Sequence, residues 1–132
     1  MTKKELSQLY WLRQEIQRNK ERLAQLEDAA TNTAAKISGL PGCGGLSDKT
    51  ALAAEIADLK AIIEAQQVQA IAEEARLTRY IDGVADSFMR QILKMRHIEL
   101  YSWQEIASKI GGNNTEDGVR KAHDRFLKKS QE

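Results

Sequence analysis

The sequence predicts an all-α fold: an N-terminal antiparallel helical hairpin with a coiled-coil-like seam, followed by a C-terminal group of three short helices. Apolar residues recur at spacings of three, four or seven over two long stretches, which is the period of an amphipathic helix. Glycines and the single proline, Pro41, lie between those stretches. In addition, 30% of the residues are charged and only 5% are aromatic, a composition typical of long solvent-exposed helices.

The first predicted helix runs from Thr2 to about Ala30. This stretch contains no glycine or proline, and Asn19 interrupts an otherwise apolar seam. A face of this kind packs against a second helix. The seam residues follow one another at helical spacing: Leu9, Leu12, Ile16, Leu23 and Leu26.

The second predicted helix runs from Asp48 to about Asp82, with Ser47 or Asp48 as its N-cap. A helix of that length measures about 52 Å, and its alanines raise helix propensity and permit close packing. The two helices are predicted to form an antiparallel hairpin, residues 1–82, joined by a loop at about residues 31–47. The apolar face of the second helix consists of Leu52, Ile56, Leu59, Ile63, Ala70 and Leu77.

The segment GLPGCGGLSDKT, residues 39–50, also has the composition of a phosphate-binding loop. Such a loop requires glycine, four free positions and then Gly-Lys-Ser/Thr. With the lysine placed at Lys49, Cys43 and Asp48 occupy the two required glycine positions. A Cβ obstructs the tight turn at the first position, and a carboxylate opposes the phosphate at the second. The sequence therefore favours a hairpin tip, where glycine permits positive φ angles.

Composition also narrows the function class. Cys43 is the single cysteine, which excludes an internal disulfide and fits a reducing compartment. The N-terminal stretch lacks the apolar segment of a signal peptide, and no apolar run approaches the roughly 20 residues that span a bilayer. We therefore expect a cytoplasmic protein without a membrane partner. Nothing local suggests nucleophilic chemistry or a metal site, so we expect no enzyme and no cofactor, with His97 and His123 at the surface or its boundary.

A second domain, residues 83–132, is predicted after Gly83 interrupts the helical pattern. Asp86 or Ser87 can cap its first helix, which is predicted at about residues 88–98. The apolar residues of the domain follow the spacing of buried helix faces. Those expected in its core include Trp103, Ile106, Val119, Ala122 and Phe126.

The two remaining helices of this domain have clear start and stop signals. Ser102 and Glu105 form a capping box that begins a short helix. Gly-Gly-Asn-Asn at residues 111–114 ends it, because glycine and asparagine tolerate the left-handed conformation of a sharp turn. A last helix is predicted from about Thr115. A short helix, a tight turn and a last helix with outward cations form the plan of a helix-turn-helix.

Charge in the C-terminal part fits a polyanionic partner. Residues 88–132 carry 9 Lys and Arg against 6 Asp and Glu, whereas residues 1–87 carry 11 against 13. The last helix of such a motif enters the major groove, where Arg120 can bind guanine with two hydrogen bonds. Other cations can neutralise backbone phosphate. The residues expected at an interface with double-stranded DNA are Lys109, Thr115, Asp117, Arg120, Lys121, Asp124, Arg125, Lys128 and Lys129.

One stretch resembles region 4 of bacterial sigma factors: RQILKMRHIELYSWQEIASKIG, followed by VRKAHDRFLKK. The resemblance implies that residues 102–107 form the supporting helix, that Arg120 and Lys121 face the groove, and that Arg125 lies near the backbone. The turn to Val119 is about two residues longer than in sigma factors. The whole chain is similar to small phage and prophage proteins of the ArpU and RinA type, which regulate late phage transcription.

The resemblance implies a phage or prophage transcriptional regulator that reads DNA in the bacterial host cell. Two alternatives stay open: a DNA-packaging component of the small terminase type, and a protein-interaction module that docks on RNA polymerase without contacting DNA. Apolar residues off the main seams predict a homodimer through residues 2–82, since a hairpin can bury only one stripe of each helix. These residues are Leu6, Tyr10, Ile62 and Ile71.

Overall fold

The computed structural model describes residues 1–37 and 45–131, with side chains described at 1–32 and 49–131. All regular structure in these residues is helical, so the all-α prediction is confirmed. A π-helical turn, Lys94–Ile98, follows the fourth α-helix directly. The α-helices are α1 (Lys3–Leu6), α2 (Gln8–Ile37), α3 (Gly45–Asp82), α4 (Ser87–Leu93), α5 (Trp103–Ile110) and α6 (Glu116–Ser130).

The chain divides into two compact units whose limits differ from the predicted domains 1–82 and 83–132. The first unit combines Met1–Leu12 with Ala70–Glu132, and the second is Arg13–Gln69. The reason is hydrophobic burial, because the short C-terminal helices cannot enclose a core alone. Both segments of the first unit supply fully buried side chains to its core: Leu6, Leu9, Leu77, Ile81, Ile92, Leu93, Ile106 and Val119.

The N-terminal helix begins differently from the prediction. A continuous helix from Thr2 was expected, but α1 ends at Leu6 and α2 starts at Gln8. Thr2 caps α1 in a capping box, with its Oγ1 accepting from the Glu5 N–H at 3.1 Å while Glu5 Oε2 accepts from the Thr2 N–H at 2.9 Å. Leu6, expected to be available for dimerisation, is instead fully buried within the first unit.

The long helices extend further than the sequence predicted. The first was expected to end near Ala30 but continues to Ile37, and the second was expected from Asp48 but begins at Gly45. Ser47 is therefore already inside α3 rather than at its cap. The predicted loop at residues 31–47 is correspondingly too long. Its remaining part, residues 38–44, lies outside the described residues, as does the first part of the predicted hairpin tip, whereas residues 45–50 of that segment are helical.

Within the second unit, polar contacts join α2 to α3. Asn19 Nδ2 donates to Gln66 Oε1 at 2.9 Å, and Gln66 Nε2 in turn donates to the Glu15 carboxylate. Farther along α2, Glu27 pairs with Lys60, with an N–O distance of 3.7 Å. From the first contact to the second, the residue number therefore increases along α2 and decreases along α3. The side-chain amide of Asn19, which interrupts the apolar seam, is thus hydrogen-bonded to another side-chain amide, that of Gln66.

The π-helical turn is a second departure from the predicted pattern. An α-helix was expected to continue to about residue 98, but the Glu99 N–H donates to the Lys94 carbonyl at 2.9 Å, five residues back. A wider turn of this kind shifts the following side chains around the helix axis. His97 is consequently buried. None of the helices in the described part of the chain is long and apolar enough to cross a membrane.

Candidate nucleic-acid interface

Helix α5 begins as the sequence predicted. Ser102 Oγ accepts from the Glu105 N–H at 3.2 Å, and Glu105 Oε1 lies 3.5 Å from the Ser102 nitrogen, which completes the capping box. Ile106 and Ala107 turn inward and are buried. Trp103, expected in the core, is only half-buried. The capping box therefore fixes where α5 begins, and the buried face of α5 belongs to the core of the first unit.

The turn after α5 depends on left-handed backbone conformations. Gly111 has φ 67° and ψ −153°, and it is followed by Gly112 at φ 62° and Asn113 at φ 66°. Asn114 holds the turn closed, since its backbone N–H and its Nδ2 both donate to the Gly111 carbonyl, at 3.3 and 2.7 Å. The predicted stop signal is confirmed, and glycine at 111 and 112 avoids the strain of positive φ.

Helix α6 is capped by Thr115, whose Oγ1 accepts from the Gly118 N–H at 3.0 Å. A Cβ at residue 118 would lie 3.0 Å from the same oxygen, so glycine leaves room for the cap. Glu116 and Asp117 occupy the first turn, where the positive end of the helix dipole stabilises negatively charged side chains. Thr115, expected at the DNA interface, thus has its hydroxyl oxygen engaged in the fold.

We expect Thr115→Ala to lower the free energy of unfolding by about 1 kcal/mol, the usual cost of losing an N-cap. Thr115→Ser is the matched control, because a serine hydroxyl restores the bond to the Gly118 N–H. Urea unfolding followed by circular dichroism measures both. Equal stability of the alanine and serine variants would contradict the cap.

The inward face of α6 follows a spacing of four. Val119, His123 and Leu127 are buried, whereas Ala122 and Phe126, which were expected in the core, are half-buried. Val119 is therefore confirmed as a core residue. The prediction chose Ala122 because it is apolar, but the burial of Leu127 shows that the face continues through His123. The spacing of four between Val119, His123 and Leu127 is the feature of the sequence that indicates this buried face.

The exposed start of α6 carries a cluster of charges, which we call the Asp117 cluster: Asp117, Arg120 and Lys121. Arg120 Nη2 lies 2.5 Å from Asp117 Oδ1, and Lys121 Nζ lies 2.8 Å from Asp117 Oδ2. The hydrogen bond with Lys121, its charge, and the nearby Arg120 lower the pKa of Asp117 below its ordinary value. Both predicted groove-facing cations are exposed, and both are paired with one carboxylate.

Asp124 is exposed, but its carboxylate contacts both the buried His123 and Lys3. Burial raises the pKa of Asp124, but hydrogen bonding with His123 and the charge of Lys3 outweigh it, so the pKa falls below its ordinary value. Asp124 Oδ1 lies 3.1 Å from His123 Nδ1 and 3.5 Å from Lys3 Nζ. This carboxylate therefore links α6 to α1.

The remaining predicted DNA contacts lie on the surface of the first unit. Arg125, Lys128 and Lys129 are exposed on α6, and none of them forms an ion pair with another residue that the structure describes. Lys109 is also exposed, with its Nζ 4.7 Å from the centre of the Tyr101 ring. Three cations on the C-terminal half of α6 are thus available to a polyanion.

A buried histidine pair lies behind α6, contrary to the expectation that both histidines are surface or boundary residues. His97 is 5% exposed and His123 is 0% exposed, and their Nε2 atoms are 2.8 Å apart. An ionised Asp124 can only accept, so a neutral His123 carries its hydrogen on Nδ1 and His97 Nε2 is the donor between the rings. The Trp103 ring packs edge-on against His123, with centroids 4.9 Å apart.

The histidine pair is held in its uncharged form. Burial lowers the pKa of His97 to about 3, and the repulsion that a second proton would meet from a protonated His123 and from Arg96 acts in the same direction. Burial also lowers the pKa of His123, although its hydrogen bond with Asp124 acts in the opposite direction. In the described part of the chain, no group of three or more His, Cys, Asp or Glu side chains could hold a metal ion. The contact between the two rings links the π-helical turn to α6.

No protein-family model, curated protein or solved structure matches this chain significantly.

Proposed function

We propose that the chain binds double-stranded DNA through a helix-turn-helix formed by α5 and α6, and acts as a phage or prophage transcriptional regulator in the bacterial cytoplasm. The observation that carries the proposal is the exposed cationic face of α6, behind a tight turn that begins at Gly111. In this proposal α4, α5 and α6 form a trihelical unit, in which both α4 and α5 contact α6. It assigns the chain no catalytic activity and no cofactor.

Recognition in this arrangement divides between the two halves of α6. The N-terminal turns of a recognition helix contact base edges, which assigns base reading to Arg120 and Lys121. Arg125, Lys128 and Lys129 then contact phosphates, which position the helix without reading sequence. Asp117 orients the two reading side chains through its ion pairs. On DNA it either accepts from the N4 amino group of cytosine or releases its partners to the bases.

We expect Arg120→Ala and Lys121→Ala to weaken binding to a duplex selected from a random library, without unfolding the chain. Loss of a base-reading arginine costs about 1–3 kcal/mol and relaxes specificity at one base pair. Arg79→Ala, which removes an exposed arginine from α3, is the matched control. Gel-shift titration at one fixed salt concentration measures the affinities. Unchanged affinity in both α6 variants would contradict the assignment.

Asp117→Asn separates this function from a second candidate. The pairing of both exposed cations with Asp117 favours a protein-binding surface, because one carboxylate engages both cations and offsets one of their two charges before any phosphate arrives. If α6 binds DNA, the substitution removes a repelling carboxylate and raises affinity for non-specific duplex several-fold. If the tail instead docks on RNA polymerase without contacting DNA, no duplex affinity appears in either protein. Polymerase binding is then the property that the variant changes.

We further propose that the two long helices form an antiparallel hairpin, supported by the Asn19–Gln66 and Glu27–Lys60 contacts, and that the chain is a homodimer. Of the side chains predicted to pair between copies, Leu6 is buried within the unit, but Ile62 is 49% and Ile71 is 70% exposed. Val68, at 68% exposed, is an i,i+3 neighbour of Ile71 and forms an apolar surface of α3 with it. Such side chains are costly to leave in water, by about 25 cal/mol per Å².

Light scattering after size exclusion tests the dimer. We expect a mass of about twice 14.8 kDa for the native chain, and a shift towards the monomer for Val68→Lys. Lys128→Ala, which removes an exposed side chain of α6, is the control outside the apolar surface. A monomeric native chain at micromolar concentration contradicts the dimer, whereas a larger ring favours the DNA-packaging alternative.

A further inference from the structure

Side chains of α2 and of the segment that precedes α5 form an aromatic cleft in the first unit. Trp11 is 62% exposed and Tyr10 is 40% exposed, although both are large apolar side chains. Their rings meet edge to face with centroids 5.0 Å apart, which holds both in fixed orientations. Beside them is a cavity of about 470 Å³, whose walls include Tyr10, Trp11, Arg96 and Leu100.

The cavity contains the guanidinium of Arg96, which forms no ion pair with the Glu105 carboxylate in the same wall. The Arg96 guanidinium lies 4.4 Å from the centre of the Trp103 ring, and its Nη1 donates to the Tyr101 carbonyl at 3.1 Å. Among the residues that the structure describes, no carboxylate lies within ion-pair distance of it. Burial lowers the pKa of Arg96, so the fold bears part of the cost of desolvating this charge. An anionic ligand would relieve that cost.

The far side of Trp11 is also basic. Lys3 and Lys4 line a second hollow, of about 430 Å³, which shares Trp11 as a wall with the cavity. Lys3 is paired with Asp124, at 3.5 Å, and Lys4 is exposed. Exposed tryptophan and tyrosine beside arginine form the combination of side chains that contributes most to binding energy at protein interfaces. Charge and composition therefore both indicate an acidic partner rather than a neutral one.

We propose that this cleft binds an acidic segment of a partner protein, in which a carboxylate pairs with Arg96 and an adjacent apolar side chain packs against Trp11 and Tyr10. Glu105 lies in the wall of the same cavity, with its Oε1 held by Ser102. A nucleic-acid backbone would place several negative charges near that carboxylate, whereas a peptide need place only one, at Arg96. A peptide is therefore favoured over single-stranded nucleic acid, which also stacks on tryptophan. The proposal does not depend on DNA binding by α6.

Selection of a displayed library of random short peptides on the full-length protein, in the presence of excess duplex DNA, tests the proposal. We expect the bound peptides to share Asp or Glu next to a large apolar residue. Calorimetry with one synthesised peptide should then show at least a tenfold loss of affinity for Trp11→Ala and for Arg96→Gln, with partial recovery in Arg96→Lys. Phe88→Ala, which removes another exposed aromatic side chain of the first unit, should leave affinity unchanged.

The outcomes are distinct. Trp11→Ala removes an exposed side chain and should preserve the circular dichroism spectrum, so it remains informative even if Arg96→Gln unfolds the chain. Failure to select peptides, a consensus without acidic residues, or undiminished binding by Trp11→Ala overturns the proposal. Competition by a single-stranded oligonucleotide at equal or higher affinity also overturns it, in favour of nucleic acid. Duplex binding by α6 should be the same in Trp11→Ala as in the native chain.

Discussion

Leu6→Ala should lower the free energy of unfolding by about 2–5 kcal/mol, the range for deleting a fully buried leucine side chain. Leu6 is 0% exposed and lies in the compact unit that includes the C-terminal helices. The sequence alone indicates a residue that pairs between copies of a separate N-terminal domain, where the same change would weaken dimerisation and leave the C-terminal helices unaffected. The size of the loss therefore distinguishes the two organisations of the chain.

Urea unfolding with two probes provides the measurement. Far-ultraviolet circular dichroism reports all helices, and Trp103 fluorescence in a Trp11→Phe background reports the C-terminal helices. Lys4→Ala, an exposed neighbour on α1, is the control and should change stability little. A loss below about 1 kcal/mol for Leu6→Ala, within the usual range of surface substitutions, would mean that α1 does not stabilise the C-terminal helices.

Lowering the pH from 7 to 5 should destabilise the native chain by about 2 kcal/mol through His97 alone. The pKa of His97 is about 3 in the folded chain, against an ordinary value of 6.5. Between these values the unfolded chain binds the additional proton, so the free energy of unfolding falls as the pH falls. His123 contributes in the same direction, because its pKa is also lowered. The full stability is present above about pH 7.

Asp124 from α6, which faces the histidine pair, stays ionised in this window because its pKa is lowered, and Arg96 from the π-helical turn keeps its charge, as arginine does in proteins. His97→Gln removes one titrating ring and retains a donor for His123, so its stability should vary less between pH 7 and 5. An equal pH dependence in the two proteins would contradict the buried pair.

The capping signals and helix periodicity predicted much of the local structure. Ser102 with Glu105, and Gly111 with its following turn, are where the sequence placed them, because each signal acts within one helical turn. The same kind of signal was present but unused at Thr2 and Glu5, which begin the separate short helix α1. Local chemistry therefore carries more information about helix ends than the apolar spacing did.

What the sequence did not reveal depends on contacts between distant segments. The π-helical turn has no distinctive residue pattern, and it is the element that contains the buried His97. His123 could have been found from its place midway between Val119 and Leu127, but its polarity suggested the surface. The cleft at Trp11 forms where Tyr10 and Trp11 meet residues 96–105, which are distant in sequence, and helix periodicity alone does not specify that contact.

A nuclear magnetic resonance titration of the full chain with duplex DNA tests the central claim, that α6 contacts DNA, most directly. At low salt, the amide shifts should be largest from Thr115 to Lys121 and around Arg125 and Lys128, and should weaken steeply as salt displaces the phosphate contacts. The Trp11 indole signal should not move. Absence of shifts on α6, or shifts centred on Trp11 instead, would contradict DNA binding by the helix-turn-helix.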